Sequence, residues 1–517
     1  MNLPGARFAC ALAAAGLAGL LQAWSIAWPW NGQPQWWLQI LSLAVLAGVL
    51  LREDCWRKGL LLGWAFATSW LAATFWWLFI SMHFYGGLAA PLAAIAVLGL
   101  AAFLALYYAV GSAVFTHLRG AGPLRDATLF ASLWLAGELL RVTWFTGFPW
   151  GAGGYAHVDG PLAFLAPWIG VHGMGWLAAW IACALALLAV PRPGSRGAMA
   201  GAALVGVLLL AGNGVGRIGP PESADAPALR VALLQGNIAQ DEKFEDRSGV
   251  PQALEWYGRM LRSTDADLVV APETALPLLP QQLPEGYFEA LRATFADGSR
   301  AALVGLPLGS YSEGYTNSVV GMKPGDMAYR YDKHHLVPFG EFIPPLFKWF
   351  TRLMNIPLGD FNRGDLGQPS FSWRGERLAP NICYEDLFGE ELGARFRDPA
   401  TAPTIFVNLS NIGWFGNTVA IDQHLHISRM RALEFARPMI RATNTGATAI
   451  IDRFGRVTNM LGRHTRGVLV GDVVGGRTTT AYAWWVSRFG LWPLWLLALG
   501  VPLLAAVARR RRPPPYN

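Results

Sequence analysis

Seven apolar runs follow one another before residue 215 and an eighth closes the chain, and this pattern limits the fold more tightly than anything else in the sequence. They lie at about 8–28, 36–51, 58–81, 88–116, 127–147, 163–190, 198–214 and 484–508. Each approaches the roughly 20 residues that a helix needs to cross the hydrocarbon of a bilayer. Charged residues fill only 15% of the 517 positions, against about 25% in a soluble globular chain. Too few remain to solvate the whole surface, which also excludes disorder and disulfide-scaffold or collagen-like classes. The expected class is a membrane α-helical bundle of about eight transmembrane helices with one large water-facing part. The first run has no small-residue cleavage site before its Trp-rich end, so it reads as a span and not a removable signal.

Loop charges orient the bundle. Arg7, Arg52, Arg57, Lys58, Arg119, Arg125, Arg192, Arg196 and Arg509 to Arg512 make twelve Lys and Arg on one side, while loops 29–35, 82–87 and 148–162 on the other hold none. Positive residues mark the cytoplasmic side. Both termini are therefore expected inside, and residues 218–480 outside the cytoplasmic membrane. The net charge of +7 invites a nucleic-acid partner, but the one dense basic run, Arg509 to Arg512, adjoins an apolar segment and reads as an anchor on anionic lipid. No nucleic acid is expected. In the fifth run, Glu138 and Arg141 either neutralise each other at i,i+3 or meet a lipid headgroup. Phe148-Pro149-Trp150-Gly151 reads as an interfacial break.

Beyond a linker-like Gly219-Pro220-Pro221-Glu222-Ser223 the pattern changes. Short β-type runs at 230–234, 268–271, 301–306, 318–322, 378–383, 404–409, 448–451 and 468–473 alternate with amphipathic stretches. Buried strands between helical layers are expected, in one extracytoplasmic α/β domain. The chain thus divides into a bundle over 1–217, a domain over 218–480, and a last span with a basic tail over 481–517.

Polar residues gather at the ends of these strands. Val270-Ala271-Pro272-Glu273 closes one with a carboxylate. Lys333 and Glu341 flank a Pro/Gly turn in Asp332-Lys333-His334-His335-Leu336-Val337-Pro338-Phe339-Gly340-Glu341. Asn381-Ile382-Cys383-Tyr384-Glu385 closes another with the single thiol of the polar region, since Cys10 and Cys183 lie in apolar runs and Cys55 in a charged loop. No cysteine pairing suggests a staple, a metal site or a cofactor. Singly, these read equally well as a solvated carboxylate, a surface lysine and a core thiol. Together they supply a base, an electrophilic stabiliser and a nucleophile, enough for acyl transfer through a thioester.

With those motifs in place, residues 229–475 resemble the nitrilase superfamily of carbon–nitrogen hydrolases, whose Glu–Lys–Cys triad matches Glu273, Lys333 and Cys383 in order. The resemblance implies an αββα sandwich. Seven spans, an outside domain and a last span resemble the bacterial apolipoprotein N-acyltransferases over essentially the whole chain. Leu234-Gln235-Gly236-Asn237-Ile238, Tyr331 to Pro344 and Cys383-Tyr384-Glu385 agree as well. One departure is Phe244 after Lys243, where that family often has Trp. An aromatic wall survives, without an indole N–H. The resemblance implies transfer of an acyl chain from a phospholipid to Cys383, and then to the α-amino group of an S-diacylglyceryl cysteine on an apolipoprotein. It also implies a site on the periplasmic side of the inner membrane. Glu273 would serve as base, with Lys333 and the Tyr384 backbone N–H as oxyanion donors. Glu341 would orient Lys333 or relay the proton, Asn317 would bond near that Lys, and Tyr384 and Glu385 would shape the acyl-binding side. Residues 346–354 read either as a membrane-dipping arm or as an ordinary packed helix. A membrane-tethered amidohydrolase would use the same triad, and a lipid-binding protein would need none of it.

Overall fold

The computed structural model describes residues 4–189, 201, 206, 227–296, 298–310, 312–343 and 361–510. The linker 219–223, the 346–354 segment and all but two positions of the expected span at 198–214 lie outside these residues. The chain forms two compact units. One takes in Met1–Trp76, Pro91–Ile218 and Leu491–Asn517; the other takes in Trp77–Ala90 and Gly219–Gly490.

In the first unit, four described helices are long and apolar enough to cross a membrane: Gly5–Ile26, Ala90–Leu118, Ala163–Ala189 and Trp492–Arg510. Trp56–Thr74 joins them as a fifth if it counts with Leu78–Tyr85, from which it is bent by 61°. Trp36–Leu50 is apolar but only 15 residues long, and Pro123–Thr143 carries Arg125, Asp126, Glu138 and Arg141. Small residues let these helices approach closely, the usual device where lipid supplies no hydrophobic drive between them. A Cβ on Gly63 would stand 2.2 Å from Ser112 Oγ, and one on Gly59 would stand 2.3 Å from Thr116 Oγ1.

Glu138 and Arg141 each bond to the backbone of the loop that follows their helix. Both are buried. Gly153 N–H donates to Glu138 Oε1 at 2.9 Å. Arg141 Nη2 donates to the Phe148 carbonyl at 3.1 Å and also to that of Trp150. Non-helical backbone beside a membrane helix is tolerated only where protein groups satisfy it, and these two side chains do so. In the run 148–151, Phe148 is half-buried and Pro149, Trp150 and Gly151 are buried.

The second unit holds two six-stranded sheets. The first has the order β12 (Gly467–Val473), β1 (Leu229–Gln235), β2 (Leu268–Ala271), β3 (Ala301–Ser310), β4 (Gly314–Lys323), β5 (Asp326–Asp332). The second has the order β11 (Val457–Met460), β10 (Ala449–Ile451), β9 (Met439–Thr443), β8 (Ile405–Ser410), β7 (Glu376–Ile382), β6 (Phe371–Trp373). Parallel pairing joins β1 to β2, β2 to β3, β7 to β8 and β8 to β9. The period of two explains the layers. Val231 and Leu233 of β1 pack with Ile382, Val407 and Leu409 between the sheets. Ala232 and Leu234 turn the other way, into a core with Trp256, Leu261 and Phe295 of helices Gly249–Ser263 and Tyr287–Ala296. With helix Ala420–Phe435 packed on the second sheet through Phe435 against Phe406, the result is an αββα sandwich.

One boundary differs from the expectation. Ala481–Phe489 is a separate helix, capped by the Thr480 side chain, and its Tyr482 ring packs on Phe435 at 5.3 Å. It ends at Gly490, where φ is +54°. The last apolar span therefore starts at Trp492, not near 484.

Candidate active site

The residues expected as base, electrophilic stabiliser and nucleophile stand at three strand ends. Glu273 follows β2 and sits just before Thr274, whose φ of +48° turns the chain sharply. Its Oε1 accepts from Asn317 Nδ2 of β4 at 2.8 Å and lies 3.4 Å from Lys333 Nζ. Its Oε2 accepts from the Asn411 backbone N–H at 2.8 Å. Lys333 follows β5, is buried, and is held more tightly by Glu341 Oε1 at 2.9 Å. Asn317 Nδ2 also donates to Glu341 Oε1 at 2.7 Å, so a single amide ties the two carboxylates together. The Val337 N–H fixes the other Glu341 oxygen at 2.8 Å. Burial works to neutralise Lys333, but the Glu341 and Glu273 carboxylates outweigh it and hold the ammonium well above its ordinary pKa.

Cys383 opens a 3₁₀ turn directly after β7, with φ at +51°. This sharp strand-to-turn conformation lifts the thiol off the sheet. Ser410 Oγ, at the end of β8, donates to Sγ at 3.3 Å. Burial, followed by the negative charge of Glu273, pushes the thiol up to about 12, against the opposing pull of Lys333 and Ser410. Cys383 therefore rests as a thiol, and to act as a nucleophile it would need an adjacent base to take its proton.

Of the other expected residues, Glu341 and Asn317 join this cluster. Glu385 is buried and fully engaged by neighbouring donors. Its Oε1 accepts the His334 and His335 N–H groups at 2.7 and 3.1 Å, and its Oε2 accepts Ile382 N–H and Tyr331 Oη–H. It thus clamps the Lys333 strand end to the Cys383 strand end. Tyr384 is likewise buried, against His335 and Phe388 at 5.6 and 5.3 Å. Phe244 is half-buried, with Lys243 Nζ 5.7 Å from its ring centre.

Several residues escaped the sequence reading. Asn408 Nδ2 and His424 Nε2 each reach the Cys383 carbonyl at 3.2 Å. Arg441 Nη2 donates to His424 Nδ1 at 2.7 Å, so Nε2 carries the imidazole proton and also donates to Asp386 Oδ1 at 3.0 Å. Burial first, then Arg441, lowers the His424 pKa and keeps it neutral. Behind Cys383 there is thus a fully buried network of Asp386, His424, Ser428 and Arg441. The available signal was four polar residues, Asn408, Ser410, Asn411 and Arg441, inside or just beyond apolar strands. Lys243 was missed as well. It is buried and donates to the Glu273 carbonyl and to Thr274 Oγ1. Among the described residues, no group of three or more His, Cys, Asp or Glu is placed to hold a metal ion.

Residues 18–184 match the model of the apolipoprotein N-acyltransferase N-terminal domain, and residues 230–482 that of the carbon-nitrogen hydrolases. An apolipoprotein N-acyltransferase of Verminephrobacter eiseniae is 60% identical over 501 residues, which is 92% of each chain. One from Ralstonia nicotianae is 44% identical and covers 99% of this chain and 96% of its own. Another, from Pseudomonas aeruginosa, is 36% identical, covering 97% and 96%.

Proposed function

The chain belongs to the apolipoprotein N-acyltransferase family, and on that premise we propose that it moves an acyl chain from a phospholipid, through a thioester on Cys383, to the N-terminal S-diacylglyceryl cysteine of an apolipoprotein. The observation that carries the chemistry is the single buried cluster in which Lys333 Nζ lies within 3.4 Å of Glu273 and 2.9 Å of Glu341, with the Cys383 thiol in its field.

In the first half-reaction, Cys383 Sγ attacks the ester carbonyl of the donor while Glu273 takes the thiol proton. Negative charge collects on the carbonyl oxygen, and Lys333 supplies a fixed, buried cation for it. One such donor is worth about 10²–10³ in rate. As the C–O bond breaks, Glu273 returns the proton to the departing glycerol oxygen, leaving lysophospholipid and thioester. In the second, Glu273 takes a proton from the attacking amine, the C–S bond breaks, and the proton passes to the thiolate. Glu341 and Asn317 keep base and ammonium in register throughout.

The reading also places the site on the periplasmic side of the inner membrane, supported by the twelve-to-zero bias of Lys and Arg in the loops. Both substrates keep their chains in the bilayer there, which avoids about 0.8 kcal/mol per CH₂ brought into water. A hydrolase would use the same triad, so the test must follow the acyl group. Purified protein is given labelled phospholipid and a diacylated lipopeptide. A mass gain on the peptide amine is expected, while release of free fatty acid alone would establish the hydrolase.

A further inference from the structure

The catalytic cluster is unbalanced in charge. Glu273 and Glu341 face one ammonium, Lys333. Behind the nucleophile, Asp386 and Arg441 lie 3.5 Å apart and offset each other, and His424 is neutral. One negative charge therefore remains on the carboxylate pair before reaction. It stays in the cluster when the thiol proton moves to Glu273, because the charge then sits on sulfur.

Lys243 lies beside this cluster, only 1% exposed. It comes from the segment after β1, where its neighbours Asp241, Glu242 and Glu245 point to solvent. Its Nζ donates to the Glu273 backbone carbonyl at 3.1 Å and to Thr274 Oγ1 at 2.7 Å. These are neutral acceptors at the left-handed turn that aims the base. A buried ammonium bonded, among the described residues, to neutral oxygens is costly, and the negative charge acting on it is that of Glu273 and, once its proton has left, of Cys383.

We propose that Lys243 is the second cation of the catalytic centre, a positioning residue that holds the Glu273 turn and offsets the negative charge shared between Glu273 and Cys383. This rests on the assignment of Cys383 as nucleophile and Glu273 as base. Lys333 stabilises charge on the substrate oxygen, whereas Lys243 stabilises charge on the enzyme before the substrate oxygen has gained any. Burial, opposed by Glu273 and Cys383, lowers the ammonium to about 7. The compensating charge is thus complete below that pH and is lost as the pH rises through it.

The test reads the thiol directly, without donor or acceptor lipid, in full-length protein with Cys10, Cys55 and Cys183 replaced by Ser. Alkylation of Cys383 by iodoacetamide is followed from pH 6 to 9 for wild type, Lys243→Met and Lys243→Arg. Lys243→Met should alkylate about tenfold slower at pH 7, the equivalent of one unit in the thiol pKa. In wild type the rate should climb by less than tenfold per pH unit, because the ammonium titrates away as the thiolate forms. Lys243→Arg keeps its charge and should restore the full tenfold slope. Wild-type rate and slope in Lys243→Met would overturn the proposal. If Lys243→Met does not fold, as judged by its thermal midpoint, Lys243→Arg decides alone: a steeper slope supports the proposal, and an unchanged one overturns it. Failure of transfer to a lipopeptide would leave this result standing, so the two readings fall separately.

Discussion

Lys333 answers to two carboxylates, and the nearer one is not the proposed base. Glu341 at 2.9 Å holds the ammonium, while Glu273, the base of the proposed reaction, lies at 3.4 Å. Lys333→Ala should therefore bind phospholipid nearly as wild type yet form the thioester about 10²–10³-fold more slowly. Single-turnover acylation beside a thermal melt checks this, and near-wild-type acylation would remove Lys333 from the mechanism. The thiol leads to a second, less intuitive outcome. Because Cys383 is pushed up to about 12 while exposed Cys55 is lowered by backbone N–H groups of Lys58 and Arg57, the nucleophile should be the slower of the two to alkylate at pH 7.5. Peptide mapping after brief iodoacetamide treatment reads the order directly. Labelling of Cys383 first would mean a preformed thiolate, with no need for Glu273 as base. These two residues could be found from motif order, whereas their protonation could not, because it depends on burial and on neighbours far apart in the chain.

At the scale of the element, legibility followed apolar continuity. β2 and β8 are buried at every position and β1 at all but Arg230, and each reads as a mostly apolar run. β9 was invisible because Arg441 interrupts it, a charge no strand pattern anticipates until Asp386 and His424 are seen beside it. β11 is mostly exposed and β6 spans three residues, so neither shows a core-facing pattern. The Arg441 network should hold the strained Cys383 turn. Asp386→Ala would leave the guanidinium buried without its carboxylate, at about 3–5 kcal/mol. A fall of many degrees in thermal midpoint is expected, and a melt within a degree or two of wild type would show that the network is not structural.

For the whole molecule, the apolar runs were sufficient to infer a membrane protein but not to delimit its parts. The helix after Thr480 read as membrane because Trp484, Trp485 and Val486 are apolar, yet Tyr482, Ala483 and Val486 are buried within the catalytic unit. The run at 58–81 hid a bend of 61°, since hydropathy carries no direction. The inside–outside arrangement rests on loop charge, and a reporter fused near Gly314 should behave as periplasmic. A cytoplasmic signal would reverse the whole arrangement.

Residues Trp77–Ala90 belong to the catalytic unit although they are encoded among the spans. Trp77 Nε1 donates to Gln423 at 3.1 Å and its ring lies 4.2 Å from Phe415, while Tyr85 meets Trp414 at 5.7 Å. Phe415 is only four residues from Asn411, whose N–H steadies the base. The peptide backbone consequently crosses between units at four places, and the second unit is not a cassette. Recombination could not lend it to another anchor in one piece, because any exchange that took residues 219–490 alone would leave behind the indole its active-site loop was built against. The inheritance of membrane part and catalyst is, by this one detour of the chain, joint.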